Sequence, residues 1–407
     1  MTKVTKNIAN SIGADETDEK QKELPFVAIK RTLSKWYDLR FNEITCSVEY
    51  REDTNSDYQE AKENDIFVRL LSSGFHISQS HLAALLYSDF VQKYNPFQKY
   101  FTDLQKWDEQ TDYISMLANS VHAVDQKTFN HHFRKMLIRS IACALNEKVF
   151  NKHCFVIVGP TQNSGKSSFC RYLCPPKLSA YFAESIDPSK DGQIALCENF
   201  LINLDELSTL SKFETNHLKA YFSKETIKIR HPFAKKSQAD PRRCSFIAST
   251  NEDTFLQDQT GSVRWLCFQI TGLDIDLTKG GKNYRNIPID KVWSQAYHLY
   301  KKGEKYQLTP EEIRDNETRN QPYQKISIEY ESIQTYLEPG DSTNDFLTAS
   351  SIITFLREKT NYQFTFNLDR IGKDLKALNF ERKSKRTREQ SNPVYGYFVK
   401  KITNDIL

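Results

Sequence analysis

Gly159-Pro160-Thr161-Gln162-Asn163-Ser164-Gly165-Lys166-Ser167 follows the apolar run Phe155-Val156-Ile157-Val158 and precedes a stretch patterned as helix, Lys166 to Leu173. Strand, glycine-bounded turn, helix: that order reads as a phosphate-binding loop. Gly165 leaves the backbone free to close around a phosphate. The amides at the start of the following helix point at the anion, and the helix dipole adds favourable potential. Lys166 supplies the charge facing the β- and γ-phosphates, and the Ser167 hydroxyl is placed as a Mg²⁺ ligand. The nucleotide-binding set is therefore Gly159, Gly165, Lys166, Ser167 and Ser168. The usual spacing has four residues between the two glycines; here Pro160 to Ser164 makes it longer by one. Either the loop is extended or Pro160 stands in the first glycine's place.

Working outward, 407 residues are long enough for two or three domains, and a hydrophobic content of 39% supports real cores. The net charge of +4 is too small to argue nucleic-acid binding globally, so local basic patches must carry it. The eight cysteines are scattered without a C-x-x-C pair, and several fall in apolar runs. That pattern argues against a disulfide scaffold or a zinc site and for a reduced, cytoplasmic protein. No apolar signal core opens the chain and no segment approaches a membrane span.

Residues 1-24 are polar and read as a disordered tail. From Pro25 to Tyr58 the pattern is irregular, with strand-like pieces such as Asn42 to Tyr50. Helical spacing then dominates in Asp65 to Leu71, Ser78 to Tyr94, Asp112 to Ala123 and Lys127 to Asn146. From Cys154 onward apolar strands alternate with helical segments: Cys154 to Val158, Phe200 to Leu204, Thr226 to Arg230, Cys244 to Ser249 and Trp265 to Ile270. Such alternation predicts an α/β sheet in three layers with helices on both faces. The expected division is 25-135 as a mainly helical N-terminal region, 136-275 as the P-loop core, 276-335 as a helical connector and 336-407 as a C-terminal module.

Hydrolysis needs more than a phosphate loop. Phe200 to Glu206 is an apolar strand ending in two carboxylates, about forty residues downstream. Asp205 is placed to hold Mg²⁺, and Glu206 to polarise the attacking water. A second strand ends at Asn251, a polar group suited to touching the γ-phosphate or orienting that water. Arg264 precedes the last strand and is the candidate for stabilising transition-state charge, in its own site or in a neighbouring subunit. Arg230, Arg242 and Arg243 compete for that role. His231 to Pro241 carries Lys235 and Lys236 between two strands, a hairpin suited to gripping a phosphate backbone in a channel.

These features in this order resemble the virulence-associated E family of P-loop proteins, itself similar to the superfamily 3 helicases of viruses and mobile elements. The resemblance runs from about Asn95 to Ile270. It is carried by Asn95-Pro96-Phe97 through Trp107-Asp108, by Ser189-Lys190-Asp191 and by Leu204-Asp205-Glu206-Leu207. Further along it is carried by Phe222-Ser223-Lys224 with Ile229-Arg230-His231-Pro232, Asn251 with Phe255-Leu256-Gln257-Asp258, and Thr260-Gly261 to Arg264-Trp265. Val263 replaces the first of the family's paired arginines. The resemblance implies an AAA+-class, DNA-associated ATPase assembling as a hexameric ring, with ATP and Mg²⁺ as cofactors.

In the C-terminal module, Thr348 to Thr360 is patterned as a helix. Asn367 is placed to cap a second, whose stripe is Leu368, Ile371, Leu375 and Leu378. Arg370 and Lys373 lie on its open side. A basic strand with Arg382, Lys383, Lys385 and Arg386, then an aromatic strand, complete the layout of a winged helix, suited to duplex DNA or to protein docking. The leading expectation is a helicase- or translocase-like ATP hydrolase acting in DNA replication of a mobile element or phage. The alternative is an oligomeric ATPase switch in regulation or phage defence. A small-molecule kinase would share the loop but not the Asp205-Glu206 pair with Asn251.

Overall fold

The computed structural model describes residues 25–402 apart from 160, 188, 206, 208–211, 230–235, 257–261, 279, 342–344 and 387–392, with 212–216 as backbone alone. The polar stretch expected to form a tail lies outside these. The chain divides into two compact units. One runs to Lys99 and takes in Ile229–Gln238; the other comprises Tyr100–Lys228 and everything from Ala239.

The first unit opens with α1 (Pro25–Trp36), where Ile29 and Leu33, one turn apart, are buried. Strands β1 (Asp38–Asn42), β2 (Ser47–Arg51) and β3 (Gln59–Glu60) follow, then α2 (Glu63–Ser72), α3 (Gln79–Leu86) and β4 (Gln92–Tyr94). The four strands form one sheet in the order β3-β2-β1-β4. So this region carries a sheet beside its helices, of which only the Asn42 to Tyr50 piece showed in the sequence. The helix expected from Ser78 to Tyr94 stops at Leu86. There the Ser88 hydroxyl donates to the Leu85 carbonyl and accepts from the Phe90 amide, a local alternative to helix. Gln92 to Tyr94 then pairs in parallel with Arg40 to Asn42.

The chain passes between units within α4 (Pro96–Asp103), and α5 (Tyr113–Asn119), β5 (Val121–Ala123) and α6 (Gln126–Leu145) follow. Next come β6 (Cys154–Val158), α7 (Lys166–Tyr172), β7 (Phe182–Ala183), α8 (Lys190–Glu198), β8 (Leu201–Leu204) and α9 (Lys212–Ser223). A two-stranded ribbon, β9 (Thr226–Ile229) with β10 (Gln238–Pro241), leads to β11 (Ser245–Thr250) and β12 (Trp265–Leu273). The ribbon returns at Gln238, ahead of the Arg242 expected from sequence. The main sheet runs β5-β12-β6-β11-β8-β7, and all but β5 are parallel. Strands β6, β8 and β11 are buried along their whole length, as a parallel sheet covered on both faces requires.

Aromatic rings seat the covering helices. Phe129 of α6 lies 5.5 Å from both Phe155 and Phe268 on one face. Phe222 of α9 lies 4.7 Å from Phe246 and 5.1 Å from Trp265 on the other. Beyond α10 (Ile289–Lys301), α11 (Pro310–Asn320) covers the part of β12 that β5 leaves unpaired. The Asn316 and Asn320 amides donate to the Trp265 carbonyl at 2.9 and 2.7 Å, and Arg319 donates to that of Cys267. A sheet edge is thus satisfied by side chains rather than by another strand.

The last elements are α12 (Ile328–Tyr336), β13 (Leu337–Pro339), β14 (Phe346–Leu347), α13 (Ala349–Lys359), α14 (Leu368–Ala377), β15 (Arg382–Lys385) and β16 (Val394–Lys401). Strand β16 pairs antiparallel with β13, β14 and β15. Asn367 caps α14 as expected, accepting from the Asp369 and Arg370 amides. Ile371 and Leu375 are buried in the local core and Leu378 packs against it. Leu368 does not join that stripe and is 51% exposed; Phe366, just before the cap, enters the core instead.

Helices α6 and α11 are joined by an ion pair. Lys135 donates to both Glu312 oxygens at 2.6 and 2.8 Å, and Glu312 also closes a capping box with Thr309. Burial pushes the Glu312 carboxyl up. Hydrogen bonds from Lys135, His131 and the Thr309 amide outweigh that and hold it at about 2. This stabilisation is complete above the ordinary carboxylate range and is lost as pH falls through about 2. Glu312→Gln is expected to cost roughly 1–2 kcal/mol near neutral pH by loss of a charged hydrogen bond. Its melting temperature should converge with that of the parent as the pH approaches 2, and melting curves across pH check this.

Candidate functional site

Strand β6 delivers the loop from the centre of the sheet. The Gly159 amide donates to the Thr250 carbonyl at 3.1 Å, extending the pairing with β11 by one residue. A Cβ at Gly159 would meet Ile270 Cγ1 at 3.1 Å, so a side chain there crowds the turn. Asn163 (φ 57°) and Gly165 (φ 84°) then take left-handed conformations that swing the chain into α7. Only Gly165 does so without steric cost, which is the reason for glycine at that place.

Lys166 is only 5% exposed, and its ammonium is bent back over the loop. It donates to the Gly159 carbonyl at 2.9 Å, the Thr161 carbonyl at 2.7 Å and Ser164 Oγ at 2.9 Å. All three of its protons are thereby used. Burial lowers its pKa, and the nearby Asp205 charge opposes that. An arriving anion would relieve the same penalty by pairing with the ammonium.

Asp205 follows β8 directly. Its Oδ1 accepts from Ser167 Oγ at 2.7 Å and from Ser249 Oγ at 2.5 Å. The register explains the meeting. β11 pairs in parallel with both β6 and β8, with Ser249 opposite Ile157 and Ala248 opposite Leu204. The residue after each strand therefore arrives at one edge. A carboxylate and two hydroxyls in contact are hard-oxygen donors, and one carboxylate with water and phosphate oxygens suits Mg²⁺. Arg171 flanks this group, 3.9 Å from Asp205 Oδ2, and is held by Glu184 at 2.5 and 2.9 Å.

These residues surround a cavity of about 440 Å³ lined by polar groups. Lys166, Ser167, Ser168, Gly165, Asp205 and Asn251 all line it. Ser249 and Arg171 line it too, and sequence reasoning missed both. A hydroxyl residue at the carboxyl end of a fully buried strand was the available signal for Ser249. Glu206 lies outside the described residues. Arg264 does not line the cavity: it lies against α9, donating to Ser223 Oγ at 3.3 and 3.2 Å. Its rivals Arg242 and Arg243 are buried and structural. Arg242 donates to the Asn151 and Lys224 carbonyls, and Arg243 to the Ala144 carbonyl and Glu147. Arg230 lies outside the described residues.

Of the expected DNA contacts, Lys235 is outside the described residues and Lys236 is exposed in the turn of the β9–β10 ribbon. Arg370 and Lys373 are exposed on α14, with Arg370 Nε 3.7 Å from Glu329. On β15, Arg382 stacks 4.8 Å from the Tyr395 ring and Lys383 pairs with Glu381. Lys385 lies 5.8 Å from the Phe346 ring, and Arg386 is exposed just beyond.

Fold and site together define a mixed α/β protein with a glycine-capped, lysine-bearing loop at the carboxyl ends of parallel strands. Residues 101–325 match the virulence-associated protein E-like domain, more than half of the chain. The chain belongs to that family. No curated protein matches it. Among solved structures, the apo form of the NrS-1 C-terminal region superposes with a TM-score of 0.52 at 12% identity, covering 93% of this chain and 100% of that one. The A form of the same region gives 0.49 at 13% identity, over 92% and 99%. At 12% identity the first superposition speaks to fold alone.

Lys166 lines the cavity, and a polyphosphate entering there would meet its ammonium. Lys166→Ala is expected to weaken tripolyphosphate or nucleotide binding by roughly 10- to 100-fold, the worth of a charge-assisted hydrogen bond, in a chain whose melting curve shows it still folded. Isothermal titration checks it.

Proposed function

We propose that this chain is a Mg²⁺-dependent ATP hydrolase of the P-loop, AAA+ class, similar to superfamily 3 helicases. It acts on DNA in the replication of a mobile element or phage. The observation that carries this reading is the meeting of Ser167 and Asp205, 2.7 Å apart, beside the buried Lys166 ammonium. Elements distant in sequence meet at one cavity, which supports a phosphate seat beside a metal seat.

In this reading Lys166 binds the β- and γ-phosphate oxygens, exchanging its loop carbonyls for them. Ser167 and Asp205 hold Mg²⁺, which when bound neutralises the charge building on the phosphates. Ser249 keeps the Asp205 carboxylate aimed at that seat. Glu206, the next residue, takes a proton from the attacking water, and Asn251 orients that water or the γ-phosphate. Arg264, held away from its own cavity by α9, serves the site of a neighbouring subunit in a ring, a hexamer by analogy with the class. The β9–β10 ribbon with Lys235 and Lys236 faces single-stranded DNA in the channel. The order of the C-terminal elements, a helix, two short strands, two helices and a hairpin, supports a winged helix. It meets duplex phosphates through Arg370, Lys373, Arg382, Lys383, Lys385 and Arg386.

Two variants test the chemistry. Glu206→Gln should bind ATP with unchanged affinity and turn it over at least about a hundredfold more slowly, the range of general-base loss. A normal single-turnover rate reassigns the base. Arg264→Ala should assemble normally and hydrolyse poorly, and mixing it with Glu206→Gln subunits should restore part of the turnover. Mixtures no better than their components refute the intersubunit role.

A further inference from the structure

The C-terminal elements hold an aromatic feature that the proposed chemistry leaves unused. Tyr362, Phe364 and Phe366 alternate through the turn between α13 and α14. Phe366 is buried in the local core, whereas Tyr362 is 69% exposed, Phe364 40% and the following Leu368 51%. Three large apolar side chains thus face solvent within seven residues.

The backbone there is strained as well as exposed. Asn361 takes φ 50°, as residues ending helices do, and the Tyr362 amide closes the cap by donating to the Arg357 carbonyl at 2.8 Å. Tyr362 itself then takes φ 58°, a left-handed conformation that a bulky aromatic adopts only at a cost and that this cap does not require. The result is a ring held outward, in the turn that leads to α14.

Charge indicates what the rings meet. Between residues 357 and 386 there are nine Lys or Arg against four Asp or Glu. One of the four, Asp374, is buried and bonded to Ser327. Helix α14 packs on the basic hairpin: Ile371, Leu375 and Tyr397 share one core, and Tyr397 Oη lies 3.5 Å from where a Gly372 Cβ would be. The turn that carries the rings and the hairpin that carries the β15 cations are therefore tied to one core. Exposed rings on a module with an excess of cations complement a nucleic acid, whose bases stack and whose phosphates pair.

We propose that Tyr362 and Phe364 form a base-stacking wedge that engages unpaired or splayed bases where duplex DNA opens, while the β15 cations hold the adjoining duplex. This rests on the reading of the module as DNA-binding. Phosphate contacts position the DNA and the rings distinguish a junction from a continuous helix.

The test uses the full chain with a forked DNA carrying 2-aminopurine at the junction and a blunt duplex of equal length. The parent should bind the fork more tightly than the duplex and change the junction fluorescence. Tyr362→Gly and Phe364→Ala should each lose about tenfold on the fork, the scale of one lost base stack, and leave duplex binding unchanged. Tyr362→Phe should keep fork binding. Because glycine relieves the left-handed strain, Tyr362→Gly should also melt at or above the parent's temperature, which separates lost contact from lost folding. Variants that bind the fork like the parent overturn the wedge and leave this face to another partner. Equal loss on fork and duplex also overturns it. A parent that binds the duplex but does not prefer the fork overturns the wedge alone, and a parent that binds neither overturns the DNA-binding reading with it.

Discussion

The in-register parallel pairing of β6, β11 and β8 is the constraint on which the site depends. Because Ser249 aligns with Ile157 and Ala248 with Leu204, the strands end at one level. The chain leaving β6 then forms the loop while Asp205 and Ser249 stand beside the start of α7. A slip of one residue would send Asp205 to the opposite face, since successive side chains alternate. The hydrophobic runs that make these strands unslippable are therefore as much part of the site as its polar groups. Burial of every residue in β6, β8 and β11 fixes the register, and the register fixes the donor geometry.

Around that centre, the molecule covers its apolar surface with rings and its unpaired backbone with amides. Phe129 and Phe222 clamp the sheet from opposite faces, and α11 closes the β12 edge with Asn316, Arg319 and Asn320. Arginines divide by surroundings. Arg242 and Arg243 spend their donors on carbonyls and on Glu147 inside the fold, whereas Arg264, among the described residues, donates to the Ser223 hydroxyl on α9. In the proposed reading, that contrast favours Arg264 over Arg242 and Arg243 for a role toward another subunit.

Much of this was legible in the residues. Strand Cys154 to Val158 matches β6 end to end, and the Asn367 cap and the order of the C-terminal elements were readable from local chemistry. Such features are set by near neighbours in the chain. The misses are those set by distant ones. Gln92 to Tyr94 has helical spacing but is drawn into a sheet by β1. Leu368 fits a buried stripe but yields its place to Phe366. Ser249 gave little sign of its role because its partner, Asp205, is 44 residues away and only strand register brings them together. Arg171 was overlooked because its value comes from Glu184 and Asp205, neither of them helical neighbours.

Titrating ATP into the folded full-length chain, with Mg²⁺ and again with excess chelator, tests the central claim most directly. A phosphate seat at Lys166 joined to a metal seat at Ser167 and Asp205 predicts saturable binding, one ATP per chain, tightened by the metal. A folded chain that takes up no ATP, or takes it up equally well without the metal, contradicts the account.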